Sequence, residues 1–368
     1  MNKVAIIGTG ETKFSKNDGD VEELLVESTN DCINSTKNCE LNDIDGVLVS
    51  TNNNSNYMGA ILSEMTGIKP KISHSIEHLC SSGTNAIISA YSYISSGLAD
   101  MVLVSGADSA TNPGQVLKWD ISRGEFEHPI FWGSMLTKNH KRKFHTTEEE
   151  LAIVSAKNHK HAMDNPRAYS NEPRTISEVM NSKQITADLR ILDCSRSCSG
   201  SSSIILASEE KAEEISENPI WINGIGQKTT SASFTKNNLD EIFSTRIAAE
   251  NAFKMAKISP EQVDVAEVHD AFSVCELMAL SEIGFTTNEN SGEFVRNLFN
   301  TGNRMINPRG GLIGAGHPLG ATGISQTVEI VNQLQEKCDK RQISNARTGL
   351  IQNMSAAGTS SSIMVLQN

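Results

Sequence analysis

No apolar run in the 368 residues approaches the ~20 that a membrane span needs, so no transmembrane helix is predicted. Met1-Asn2-Lys3 leads straight into a strand-like segment instead of a signal peptide, and a cytoplasmic location is expected. Positive charge is outweighed, with 32 Lys+Arg against 44 Asp+Glu and a formal net charge of -12. That balance opposes general nucleic-acid or anionic-membrane binding and favours a small-molecule role. The seven cysteines, at 32, 39, 80, 194, 198, 275 and 338, are odd in number and scattered through a large chain, which fits reduced thiols better than a disulfide framework. Cys194 and Cys198 are close, but no second close pair completes a zinc set, so no metal is expected. Neither G-x-x-x-x-G-K-[ST] nor a G-x-G-x-x-G following a strand is present, which removes the usual phosphate loops.

The pattern that is present is one of alternating strands and helices. At roughly one domain per 100–200 residues the length suggests two packed units. Val4-Ala5-Ile6-Ile7-Gly8 reads as a buried strand, Val21 to Asn38 as an amphipathic helix, and Ile44 to Val49 as a second strand. A helix over 57–67, a strand over 71–77, a small-residue helix over 83–96 and a strand over 101–106 follow. From about 111 to 190 the rhythm breaks into Pro, Asn, Gly and charge and reads as an inserted loop region, with one helix opening near Thr147, whose spacing to Glu150 suits a capping box. The later part repeats the earlier element order: a helix over 244–257, a strand over 263–268, a helix over 273–283, a long helix after Gly320, and strands over 348–351 and 362–366. These features predict an α/β fold of two similar halves, 1–215 and 216–368, with the loop insertion in the first.

Three segments carry candidate chemistry. In His78-Leu79-Cys80-Ser81-Ser82-Gly83 a cysteine stands where a strand turns into a helix, and the helix dipole there should favour its thiolate. An isolated cysteine after leucine is more often packing, so this segment alone decides little. The run Gly310 to Gly323 (GGLIGAGHPLGATG) holds His317 between glycine and proline in a constrained turn. A plain glycine-rich turn would not account for that histidine, and a catalytic role fits it better. Val268-His269-Asp270-Ala271-Phe272 ends a strand and opens a helix, which points His269 toward the ligand crevice of a layered α/β protein; out of context it would read as a surface histidine.

Together these segments resemble the thiolase superfamily, and more closely its sterol-carrier-protein-type and archaeal acetyl-CoA acetyltransferase branch. The likeness also takes in VAIIGTGETKF (4–14), MVLVSGAD (101–108), TTEEELAIVSAKNH (146–159), LDCS (192–195) and QNMSAAG (352–358). The resemblance implies a five-layered αβαβα thiolase fold, normally dimeric, with the insertion as a loop domain over the coenzyme A site. It implies Cys80 as the nucleophile that becomes an acyl-enzyme, and His317 as its base. His317 with His269 would polarise a thioester oxygen, and the backbone amides of Cys80 and Ser355 would form a second oxyanion site.

The chain also departs from that family. Ser355 stands where relatives carry glycine, and the two positions that supply a second, proton-abstracting cysteine hold Asn353 and Ala271. Cys275 lies about 6 Å further along the helix from Ala271, too far for a direct replacement but within reach through a relayed water. Ser195 to Gly200 replaces an Asp-Gly turn, without a functional account. The run Lys138-Asn139-His140-Lys141-Arg142-Lys143 reads as a solvated loop or as a contact for coenzyme A phosphates.

The resemblance implies acetyl-CoA C-acetyltransferase activity: condensation of two acetyl-CoA to acetoacetyl-CoA, the entry to mevalonate and isoprenoid lipids. It needs no organic cofactor or metal. A homodimer is expected, in a possible complex with a hydroxymethylglutaryl-CoA synthase and a zinc-ribbon/OB-fold bridging protein. Acyl transfer to another acceptor or thiolysis of a longer 3-ketoacyl-CoA is the alternative, and a non-catalytic lipid-binding or scaffold subunit the third.

Overall fold

The structure, a computed structural model, describes residues 3–17, 19–53, 56–110, 125–233 and 236–368. The first half contains β1 (Val4–Glu11), α1 (Val21–Ser35), β2 (Gly46–Ser50), α2 (Met58–Thr66), β3 (Ile72–Ile76), α3 (Ser82–Ser95) and β4 (Met101–Asp108). An excursion follows through α4 (Ile130–Phe144), α5 (Glu148–Ala162), α6 (Ile176–Met180) and the small hairpin β5 (Gln184–Thr186) and β6 (Leu189–Arg190). β7 (Gly200–Ser208) and α7 (Glu209–Ile215) return the chain to the core. The second half contains β8 (Ile220–Thr229), α8 (Phe243–Ala256), β9 (Val265–Glu267), α9 (Ser273–Ile283), α10 (Ser291–Thr301), α11 (Gly311–Ala315), α12 (Leu319–Leu334), β10 (Thr348–Ser355) and β11 (Ser360–Gln367).

Nine strands form one hydrogen-bonded sheet in the order β3-β2-β4-β7-β1-β8-β11-β10-β9. Its centre is narrow, because β1 and β8 share only the pairs Ala5↔Trp221 and Ile6↔Ile220. Outward from that seam the pairings repeat. β1–β7 and β7–β4 are antiparallel and β4–β2 parallel; β8–β11 and β11–β10 are antiparallel and β10–β9 parallel. β3 then pairs parallel with β2, and in the second half a single parallel bridge, Ala266↔Ile306, stands in the same place.

The strands are apolar on both faces because both faces are covered. Val102 and Val104 of β4, Ile204 and Leu206 of β7, Ile351 of β10 and Met364 and Leu366 of β11 share one cluster with Ile87 and Ile94 of α3 and Ile324 and Val331 of α12. The opposite faces, such as Leu103 and Ile205, pack on Val21 and Leu25 of α1 and Met58 of α2. In the second half Leu350, Ile363 and Val365 pack on Ala248 and Ala252 of α8 and on α9. Outer helices, first-half strands, central helices, second-half strands and outer helices make five layers, with α3 and α12 in the middle.

The excursion corrects the loop reading of 111–190. Positions 111–124 lie outside the described residues, but the remainder is mostly helical. α4 buries Trp132, Leu136 and His140, and Thr147 and Glu150 cap α5 reciprocally, as the spacing predicted. The basic run at 138–143 lies on α4 instead of a loop, with Lys141 paired to Glu148 and Asp188 and Lys143 to Asp240.

Candidate active site

α3 and α12 meet closely. A Cβ at Gly323 would lie 2.7 Å from the Thr84 amide nitrogen, so only glycine lets the two helices approach this far. The N-terminal entries of both helices therefore open onto the same place. Cys80 lies in a single 3₁₀ turn (Leu79–Ser81) ahead of α3, and His317 lies two residues before α12. His269 lies two residues beyond the end of β9 in the second half. Ligand atoms of Cys80, His269 and His317 all lie within 4.8 Å of one another, and the two imidazoles meet edge to face at 5.2 Å between centroids. Among the described residues these are also the side chains whose spacing could hold a metal ion.

The turn before α3 is strained and held on several sides. Leu79 has φ 51°, a left-handed conformation costing roughly 1–2 kcal/mol for a residue with a Cβ. Glu77 accepts from the Leu79 backbone amide at 2.7 Å, while the Ser82 hydroxyl and the Asn52 side-chain amide donate to the Leu79 carbonyl at 2.6 and 3.1 Å. This is backbone strain at a site, over-determined by its surroundings.

The histidine loop is held by buried polar groups. Gly316 has φ 105°, and a Cβ there would sit 2.7 Å from the Cys198 sulfur. Asp270 accepts from the Leu312 and Ile313 amides at 2.6 and 3.2 Å and so caps α11. Arg309 is almost wholly buried, paired with Glu267 at 3.5 Å and Glu11 at 3.7 Å. Asp108, at the end of β4, accepts from the Gly320 amide at the start of α12 and from the Asn52 amide at 2.9 Å, which ties the His317 helix to the loop that supports Leu79.

The charge states differ from the sequence expectation. Burial, reinforced by Asp108, pushes the Cys80 thiol up to about 12, so desolvation outweighs the helix-terminus effect that was expected to favour thiolate. Burial and the Arg309 guanidinium hold His317 down at about 3, and burial with His317 beside it holds His269 well below the ordinary imidazole value. At neutral pH the resting site is a thiol facing two uncharged imidazoles.

A cavity of about 250 Å³ opens on these groups. Leu79, Pro129, Ile130, Trp132, Phe272 and Met354 give it an apolar wall, and Ala271, Cys275 and Ser355 also line it. α4 therefore contributes to the wall, which the sequence did not indicate. Cys275 is buried beneath the cavity, with burial pushing its thiol up to about 12. Asn353 holds no acidic proton; its amide donates to His269 Nδ1 at 3.1 Å and to Gln326 Oε1 at 2.7 Å. The Ser355 hydroxyl accepts from Ser81 at 3.3 Å, and the backbone turns immediately after it through Ala356 and Ala357, both at positive φ.

Sequence reasoning singled out Cys80, His269, His317 and Ser355, and the fold brings all four together. It missed Asp270, Asp108 and Arg309. Asp270, adjacent to His269 in the HDAF segment, offered a local signal; Asp108 and Arg309 act across long chain separations that only the fold closes.

This architecture is that of thiolase-type acyltransferases. The profile described as "Thiolase, N-terminal domain" matches residues 4–188 and that described as "Thiolase C-terminal domain-like" matches 226–368, and the chain belongs to this family. It is 31% identical to the acetyl-CoA acetyltransferase of Methanothermobacter thermautotrophicus over 383 residues, covering 99% of both chains. It is 32% identical to the acetyl-CoA acetyltransferase of Methanocaldococcus jannaschii over 356 residues, covering 91% of both. Among solved structures the Ltp2-ChsH2(DUF35) aldolase is similar in fold, with a TM-score of 0.87 at 22% identity over 99% of this chain and 97% of that one. No helix among the described residues is long and apolar enough to cross a membrane.

Proposed function

We propose that the chain is an acetyl-CoA C-acetyltransferase that carries the acetyl group on Cys80. The observation that carries the reading is the convergence of the Cys80 sulfur with one nitrogen each from His269 and His317 at the foot of an apolar cavity. The two archaeal acetyltransferases that match nearly the whole chain support the acyl group chosen. In the first step the thiol proton passes to His317 as the sulfur attacks the thioester carbonyl, and the C–S bond to coenzyme A breaks. The leaving thiolate takes that proton back. His269 donates to a thioester oxygen as negative charge develops there, and at the second site the backbone amides of Cys80 and Ser355 cradle the acyl oxygen on the enzyme. A second acetyl-CoA then forms the new C–C bond from its methyl carbon as the Cys80–acyl C–S bond breaks, and its α proton ends on the released Cys80 sulfur, giving acetoacetyl-CoA. No organic cofactor takes part.

The absence of a thiol at Asn353 and Ala271 favours a second reading, in which the acyl-enzyme forms readily but is passed to a different acceptor. In either case the chain acts as a homodimer. A complex with a hydroxymethylglutaryl-CoA synthase through a zinc-ribbon/OB-fold protein is the expected setting, in the cytoplasm. Intact-protein mass spectrometry after mixing with acetyl-CoA tests the reading. An acetyl adduct that maps to Cys80 supports it; bound ligand without an adduct makes the chain a binding or scaffold subunit instead.

A further inference from the structure

The two buried imidazoles touch different kinds of partner at Nδ1, and those partners decide where each ring carries its proton. His317 Nδ1 lies 2.7 Å from Thr322 Oγ1, and that same hydroxyl lies 2.8 Å from the Pro318 carbonyl oxygen. A hydroxyl has one proton, and a carbonyl can only accept. The Thr322 proton is therefore committed to Pro318, and its oxygen accepts from His317. His317 is protonated on Nδ1, and its Nε2 keeps a lone pair.

At His269 the logic reverses. Gln326 Nε2 donates to the Gln352 carbonyl at 3.3 Å, which fixes the side-chain oxygen of Gln326 toward Asn353. The 2.7 Å contact there requires Asn353 to present its NH₂ group, and the other hydrogen of that group points at His269 Nδ1, 3.1 Å away. Nδ1 must accept, so the His269 proton resides on Nε2.

We propose that Thr322 and Asn353 are positioning residues that hold the two histidines in opposite tautomers, leaving a proton acceptor on His317 and a hydrogen-bond donor on His269 beside Cys80. With Nδ1 engaged in both rings, Nε2 is the nitrogen left to meet the sulfur and the substrate oxygen. A single site thus offers one group able only to take a proton and one able only to give a hydrogen bond, which suits a thiol becoming a nucleophile next to a carbonyl becoming an oxyanion. Burial keeps both rings uncharged, so each has a single proton to place. It also gives Asn353 a task of its own: the position where relatives carry a base sets the tautomer of an oxyanion donor. The proposal rests on the reading of Cys80 as acyl carrier only for its catalytic meaning, not for the tautomers themselves.

Long-range ¹H–¹⁵N correlation on the full chain labelled at histidine, without substrate, reads the tautomers directly. His317→Ala and His269→Ala assign the two signals. The expected result is one Nδ1–H ring at His317 and one Nε2–H ring at His269. Thr322→Val should move or average the His317 pattern and slow acetylation of Cys80 by about 10²-fold, with Thr322→Ser restoring both. Asn353→Asp should shift the His269 proton to Nδ1 and slow acyl transfer while leaving alkylation of Cys80 by iodoacetamide within about twofold. Both rings in the same tautomer, or an unchanged pattern in Thr322→Val, overturns the proposal. Correct tautomers with no acetyl adduct on Cys80 would instead remove the acyl-carrier reading.

Discussion

The entries to α3 and α12 occupy the same station in the two halves of the fold, yet they are built in opposite ways. The Cys80 entry is short and part-exposed, and it stores its strain at one residue, Leu79, which donates to Glu77 and accepts from Ser82 and Asn52. The His317 entry is long and glycine-rich, buried throughout from Asn307 to Thr322 and fastened by charged groups, Arg309 and Asp270. A nucleophile must be reached by substrate, so it is presented on a tight elbow. A base must keep its orientation and stay uncharged, so it is set in a dry, rigid shell.

The largest effect that would break this contrast is at the sulfur. Cys80→Ala should abolish the acetyl adduct while shifting the thermal midpoint little, because the thiol fills little of the core; an adduct persisting on Cys194 or Cys275 would move the nucleophile elsewhere. Next, His317→Ala should slow acetylation by about 10²–10⁴-fold and change its pH dependence. With His317 held at about 3 and the thiol at about 12, the thiol–imidazole pair persists between those values, so acetylation by the unmodified protein should be flat from about pH 5 to 9. Without the base only the thiolate fraction reacts, and the rate should rise about tenfold per pH unit. A rising profile in the unmodified protein would show that His317 is not the base.

Asp270→Ala tests the shell and not the chemistry. It strips the cap from α11 and the partner of the Asn158 side-chain amide, and it should cost roughly 2–4 kcal/mol in denaturant unfolding. A loss below about 1 kcal/mol would mean that the loop stands without it. Ala271→Cys places a thiol on the cavity wall at the family's position and should raise acetoacetyl-CoA formation by about tenfold relative to acetylation, the low side of what a proton-transfer group contributes. Condensation as fast as acetylation in the unmodified protein would show that another base is already in place. The smallest effect is at Leu79→Gly, where released strain and lost packing should nearly cancel in stability, within ~1 kcal/mol, while acetylation falls severalfold because the elbow loosens.

Much of this site was legible before the fold was known, for local reasons. Cys80, His269 and His317 each sit at a change of rhythm, from strand to helix or from glycine run to helix, and α9 lies over Ser273–Ile283 as its apolar pattern predicted. α4 escaped because its buried stripe runs through Trp132, Leu136 and His140 with Gly133 and Thr137 beside it, a helical spacing disguised by a polar and two small residues. α10 escaped in the same way, being short and mostly polar. Thiol acidity was misjudged because the helix dipole can be read from chain position whereas desolvation cannot. Asn353 was noticed for the cysteine it replaces; its hold on His269 spans 84 residues and emerges only when β10 lies beside β9.

The contact between Gly323 and Thr84 makes the α3–α12 pair a caliper for the reaction. A methyl group at Gly323 would force the helix axes apart to clear the Thr84 amide nitrogen, now 2.7 Å from where that carbon would sit. Because the thiol and the imidazole hang from the jaws of this pair, the widening would be passed on to the gap across which the proton must jump. A displacement of about 1 Å at reacting atoms can lower a rate 10²-fold. The reach of the base to the nucleophile is thus gauged by a hydrogen atom on the far side of a helix turn, in a residue that touches neither.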